Sequence, residues 1–213
     1  MTPKQTTADL IRQLAASPAP RPFRTGVVAG GLLALLGISL GAFWLVFGIR
    51  TDLASAWLLM QVQAKTVLPL FLAITAVWLA FGSSRPGGRI VLWPLAVPLL
   101  LGVFLVIQRL GQVAEGSLQA EALGQTAFAC LASITVLSAT PLGVGIVMLR
   151  RGAAIRPALT GTLLGIAVGA GVTAGYALHC TEDSPLFFVL WYGLAIAIVA
   201  GCGGLLGHRY LRW

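Results

Sequence analysis

Charge is scarce in this 213-residue chain. Asp, Glu, Lys and Arg make up 9% of it, against about 25% in a typical soluble domain. So few ions cannot cover the surface of a water-soluble fold, which excludes a soluble catalytic domain hung on an anchor. Acids are scarcer than bases, 6 against 14. Cysteine is nearly absent as well, and three Cys cannot build the disulfide framework that holds small secreted proteins. Disorder fails on the opposite count: 58% of the residues are hydrophobic and the mean hydropathy is +0.92, far from the polar composition of unfolded chains. The solvent that suits this chain is a lipid bilayer.

Stretches free of ionised side chains run over about 26–48, 66–84, 90–108, 125–149, 157–178 and 184–207. A helix needs roughly 20 apolar residues to cross about 30 Å of hydrocarbon, so these predict an all-α polytopic bundle of six transmembrane helices over 26–207. It leaves a tail at 1–25 and a short one at 208–213. The second boundary is the softest, because Trp57 to Val62 is also apolar and Lys65 can snorkel from a tilted helix. Residues 26–48 are too long for the apolar core of a signal peptide and follow about 25 residues, so they read as a retained span.

Six spans put both termini on one side. With the tails and the loops after spans two and four on one face, eleven of the 14 Lys and Arg fall there and only Arg50, Lys65 and Arg109 fall opposite. The positive-inside rule then predicts cytoplasmic termini. The acids invert the pattern, with Asp52, Glu115, Glu121, Glu182 and Asp183 outside and Asp9 inside. The basic face is a topology signal and an attraction for anionic lipid rather than a nucleic-acid footprint. Gly161, Gly165 and Gly169, with Gly203 and Gly207, form small-xxx-small ridges that let helix backbones approach, either within the bundle or across a homodimer seam. Pro69, Pro94, Pro98 and Pro141 fall inside spans.

On these boundaries no span contains an ionisable residue, although pumps, proton relays and voltage sensors need them at membrane depth. Thr135, Ser138 and Thr173 offer a polar path only if they do not bond to their own helices. No metalloprotease pair, phosphate loop or serine-nucleophile turn appears, and His179 and His208 fall on opposite faces. No enzyme and no small-molecule substrate are expected.

Cys130 lies about 8 Å below the outer edge of the fourth span, and Cys202 about 27 Å into the sixth. Cys180 sits in the outer loop His179-Cys180-Thr181-Glu182-Asp183-Ser184-Pro185. Cys130 and Cys180 can therefore meet, and Cys202 can join neither. Three readings stay open for the pair. They form a disulfide in an oxidising periplasm, they bind a soft ion such as zinc, cadmium or copper beside His179, Glu182 and Asp183, or they are small buried hydrophobes. No obligatory cofactor is expected. Asp183 and Ser184 before Pro185 are positioned to cap the sixth helix.

In the tail, Thr7 is placed to cap a short helix with Leu10, Ile11 and Leu14 on one face, ended by Pro18, Pro20 and Pro22. Ten residues are marginal alone, so its uses are to lie on lipid or to enter a partner's groove.

The run Tyr176-Ala177-Leu178-His179-Cys180-Thr181-Glu182-Asp183-Ser184-Pro185-Leu186-Phe187-Phe188, with Trp191-Tyr192-Gly193 and the closing Leu211-Arg212-Trp213, resembles the NrsF-type anti-sigma factors, six-span proteins of the bacterial inner membrane. Asp9-Leu10-Ile11 and Leu14, Arg21-Pro22, Arg150-Arg151-Gly152, Arg156-Pro157 and Thr160-Gly161 are similar at matching places, so the likeness spans the chain.

The resemblance implies a protein that holds an extracytoplasmic-function sigma factor at the membrane, away from RNA polymerase, and releases it under stress. It assigns metal or oxidative-stress sensing to two periplasmic-side cysteines, by position Cys130 and Cys180. With no soluble anti-sigma domain present, capture falls to the tail around Asp9: Leu10, Ile11 and Leu14 enter a groove while Arg12, Arg21 and Arg24 steer an acidic surface. The competing class is a transporter or channel for a small solute or metal, which predicts flux and indifference to loss of residues 2–20. A scaffold that dimerises through the glycine ridge fits either.

Overall fold

The structure, a computed structural model, describes residues 6–16, 24–84, 91–113, 117–152 and 154–212, with the side chain of Leu14 left aside. Among the described residues the helices are α1 (Thr7–Ala16), α2 (Thr25–Phe47), α3 (Leu53–Ala56), α4 (Met60–Ser83), α5 (Ala96–Leu110), entered through a 3₁₀ turn at Trp93–Leu95, α6 (Leu118–Leu123), α7 (Ala127–Leu149), α8 (Pro157–Tyr176) and α9 (Pro185–Tyr210). Six segments are long and apolar enough to cross a membrane: Thr25–Phe47, Met60–Ser83, Trp93–Leu110, Leu118–Leu149, Pro157–Tyr176 and Pro185–Tyr210. The chain is an all-α, multi-pass bundle, and with six crossings α2 begins at the end where α9 finishes. We call this the basal end and the other the distal end.

Helix α8 is the axle of the bundle. Its residues are buried nearly all round, and α4, α7 and α9 pack against it. Glycine makes this possible. A methyl at Gly165 would stand 2.5 Å from the Val199 carbonyl oxygen and 2.7 Å from Ala200 Cα, and one at Gly207 would stand 2.8 Å from Gly161 Cα. The backbones of α8 and α9 are thus in direct contact along the predicted ridges, which are consumed inside the bundle rather than left for a second copy. Helices α2 and α5 flank this axle, α2 burying Val28, Leu32, Leu40 and Phe43 against it, and present exposed Leu33, Ile38 and Leu45, and Leu99, Leu100 and Val103, as lipid-facing helices do.

Two sequence expectations need correction. The second span starts at Met60 rather than 66, which puts Lys65 inside α4 with no exposed surface at all. Lys65 therefore does not snorkel, and a span does hold an ionisable residue; its amine finds acceptors within the protein. The first helix is capped by Thr6, not Thr7. Thr6 Oγ1 donates to Asp9 Oδ2 at 2.5 Å and accepts the Asp9 N–H at 3.3 Å, a capping box in which Asp takes the place usually held by Glu or Gln. Thr135 and Thr173 donate to Leu131 and Gly169 carbonyls of their own helices and line no path. Pro69 and Pro141 lie within α4 and α7.

Turns at the distal end use the only two positive-φ glycines among the described residues. Gly48 (φ 77°) closes α2 with its N–H on the Trp44 carbonyl. Gly124 (φ 55°) separates α6 from α7 against the ring of Phe187, which leaves no room for a side chain. At the basal end the hydroxyls of Ser83 (α4) and Thr160 (α8) meet at 2.9 Å, both buried.

Candidate functional site

The distal end gathers the chemistry. Cys130 lies in the first turn of α7, its N–H on the Thr126 carbonyl. Cys180 follows α8 at once, with its N–H on the Tyr176 carbonyl. The two sulfurs stand 3.8 Å apart as free thiols, 0% and 4% exposed. The Tyr176 hydroxyl donates to Cys130 Sγ at 3.4 Å, and Thr126 Oγ1 lies 3.6 Å from it. Phe187, Phe188 and Tyr192 belong to the apolar cluster around the sulfurs. The hydrogen bond from the Cys130 thiol pulls the Cys180 thiol below the ordinary range, against burial that pushes it up. Two thiols at this spacing can close a disulfide or supply two thiolates to a soft ion.

The structure thus brings Cys130 and Cys180 together and sends the other predicted ligands elsewhere. His179 Nδ1–H donates to the Gly48 carbonyl at 2.8 Å, and its ring meets Phe43 edge-on at 5.1 Å. Glu182 Oε1 accepts the Gln125 N–H at 2.9 Å. Asp183 accepts from Arg50 Nη1 at 2.8 Å and from Lys65 Nζ at 2.5 Å, so it is an ion-pair member rather than a cap. Ser184 stands at the N-cap position of α9, but its hydroxyl donates to Glu121 Oε2 at 3.0 Å. Among the described residues no three His, Cys, Asp or Glu side chains converge as a metal site. Cys202 is exposed on α9.

Arg50 and Lys65 are the members that sequence reasoning missed. Lys65 Nζ donates to the Cys180 carbonyl at 2.6 Å and approaches the Glu182 carbonyl at 3.4 Å, while Arg50 Nη1 reaches the Cys180 carbonyl at 3.4 Å. Arg50 also holds Asp52, whose carboxyl is lowered to about 2 by that bond. The signal was available: Arg50, Lys65 and Arg109 are the three cations on the acid-bearing face, and each sits in an ion pair.

At the other end of the chain, Leu10 and Ile11 are 48% and 60% exposed on α1. Arg12 and Arg24 are exposed too. Asp9 is engaged in the cap, and the Thr6 hydroxyl holds its carboxyl below the usual range. Arg21 and the Leu14 side chain lie outside the described residues. Exposed Arg24, Arg150, Arg151, Arg156, Arg209 and Arg212 flank the basal ends of α2, α7, α8 and α9.

Comparison with known proteins places this arrangement in context. A family model described as negative regulator of sigma F matches residues 14–213. The chain is 33% identical over 217 residues to the anti-sigma-F factor NrsF of Caulobacter vibrioides (strain NA1000 / CB15N), covering 97% of this chain and 99% of that one. It is 31% identical over 167 residues to a probable anti-sigma-F factor NrsF of Azospira oryzae, covering 78% of each. No solved structure matches.

Proposed function

The chain belongs to the NrsF family of negative regulators of sigma F and is a membrane anti-sigma factor; we propose that it keeps an extracytoplasmic-function sigma factor on the cytoplasmic side of a bacterial inner membrane and releases it when the Cys130–Cys180 pair is oxidised or takes a soft metal ion. The observation that carries the sensing is the 3.8 Å approach of two buried thiols from separate elements. The basic basal end supports cytoplasmic termini, because Lys and Arg are retained on that side. Asp9 pre-forms the N-terminal helix, whose exposed Leu10 and Ile11 supply a short apolar face for the sigma factor. Arg12, Arg21 and Arg24 steer the approach of an acidic partner surface.

The redox step balances simply. Each thiol gives up one hydrogen, one S–S bond forms, and hydrogen peroxide as oxidant accepts both hydrogens as its O–O bond breaks to give two waters. A soft ion instead displaces the two thiol protons and is held by the two thiolates. Release requires that either event favour one of two bundle arrangements.

Two measurements test the proposal. Pull-down of the sigma factor by the full chain should fail with Leu10→Asp together with Leu14→Asp, and undiminished capture removes the groove. Cys130→Ser or Cys180→Ser should leave the sigma regulon repressed under oxidant or cadmium. An unchanged response makes the thiols structural.

A further inference from the structure

We propose that Lys65 is the positioning residue of the thiol pair and the strut that carries its state into the second span. This rests on the reading of Cys130 and Cys180 as the sensor. An ammonium has three donors, and those of Lys65 all face one four-residue stretch: the Cys180 carbonyl at 2.6 Å, the Asp183 carboxylate at 2.5 Å and the Glu182 carbonyl at 3.4 Å. Its side chain is wholly enclosed. Residues 180–184 belong to no helix or strand, so no backbone ladder fixes them. A buried cation without partners is strongly unfavourable, and this one satisfies itself by gathering the loop backbone around α4. The result is a Cys180 sulfur held beside Cys130.

The same contact transmits. A disulfide needs its sulfurs about 2 Å apart, so the 3.8 Å gap must shorten by nearly half when the pair closes. Cys130 is fixed in the hydrogen-bonded first turn of α7, whereas Cys180 is on the irregular stretch. Most of the travel therefore falls on Cys180, whose carbonyl is tied to the Lys65 amine. Movement there pulls on α4, a helix that runs to the basal end and is bonded to α8 through Ser83 and Thr160. Arg50 seconds the hold from the end of α2, but it is not part of a span.

The test uses the full chain with Cys202→Ser, in membrane vesicles, co-expressed with its sigma factor. Diamide takes up two protons and two electrons as its N=N bond becomes a hydrazine, and Cys130–Cys180 closure is read as lost alkylation. Lys65→Met keeps the length and removes the donors. Closure should slow by about tenfold or more, since misplacing reacting atoms by about 1 Å can cost as much as about a hundredfold in rate, and the closed form should keep its sigma factor. Lys65→Arg should restore most of the rate. Closure and release at parental rates in Lys65→Met overturn the proposal. If Lys65→Met does not accumulate in membranes, Asp183→Asn removes the ion pair while keeping the lysine and must slow closure; a parental rate there overturns it equally. The closure rate is read independently of sigma release, so a parent that closes without releasing refutes the sensor reading alone.

Discussion

Gly161→Ala should destabilise the bundle, although Gly→Ala within a helix ordinarily stabilises by about 0.5–1 kcal/mol. The added methyl would fall on the Gly203 carbonyl, 2.7 Å from Gly207 Cα and 3.0 Å from the Gly203 carbonyl carbon. All three neighbours are backbone, so no rotamer change relieves the clash. Ordinary contact begins near 3.4 Å, and α8 and α9 must separate by a large fraction of an ångström. A gap of about 0.5–1 Å forfeits a quarter to a half of the dispersion well for each facing atom pair, and overpacking of this kind typically costs about 1–3 kcal/mol. At roughly 2–4 °C per kcal/mol for a chain of this size, the detergent-solubilised protein should melt several degrees lower. Gly169→Ala should cost less, because its nearest neighbour, Val199 Cβ, stands at 3.2 Å and needs to give by only a few tenths of an ångström. Gly30→Ala and Gly41→Ala meet nothing within 4 Å and should be neutral or stabilising. If Gly161→Ala melts with Gly30→Ala, the backbone contact that places α8 at the centre is wrong.

Cys180 should be alkylated by a small reagent such as methyl methanethiosulfonate with a pH midpoint below about 8.5, the ordinary thiol value. Its thiolate is stabilised first by the Cys130 thiol, so Cys130→Ala should move the midpoint up; an unmoved midpoint means that the sulfurs do not share a proton. Trp191 Nε1 donates to the Ala122 carbonyl at 2.9 Å, and Trp191→Phe should lower stability by about 1 kcal/mol in thermal melts by freeing α6 from α9. No loss would mean that α6 is held by its other contacts alone.

Much of the fold was legible because a bilayer imposes length and apolarity on every span. Four of the six segments begin and end within about three residues of the predicted boundaries, and the second and fourth start earlier, at Met60 and Leu118. The meeting of Cys130 and Cys180 followed from the shallow depth of Cys130 in its span and the place of Cys180 in the outer loop. What sequence could not give was the start of α4. A lysine normally ends an apolar run, and only knowledge that residues 180–183 fold back over Lys65 shows why this one does not. The same gap hid the partners of His179, Glu182 and Asp183. Their types suit metal ligation, but each has a nearer partner from a distant part of the chain, Gly48, Gln125 and Lys65 respectively. Side-chain chemistry was readable, and its allocation among partners was not.

That allocation explains how a small change at one sulfur can reach the whole bundle. Cys180 meets Cys130 of α7, Glu182 holds the turn before α7, Asp183 holds Arg50 after α2 and Lys65 of α4, and Ser184 holds Glu121 of α6. Glu121 in turn pairs with Arg109 at the end of α5. The stretch itself joins α8 to α9. Four residues of one five-residue stretch thus bear contacts from α4, from α6, from α7 and the turn before it, and from the end of α2, with α5 reached through Glu121, in a segment with no regular structure to resist being moved. Coupling between distant sites needs an element with two arrangements that both sites bias. The 180–184 stretch meets the first half of that requirement, because any displacement of Cys180 must break or redirect bonds to several helices together. Within this polar set α5 has a single link, the half-buried Arg109–Glu121 pair, and ion pairs near a surface contribute only about 0–1 kcal/mol. The thiols are the better lever, since their closure forms a covalent bond whose geometry the loop must follow.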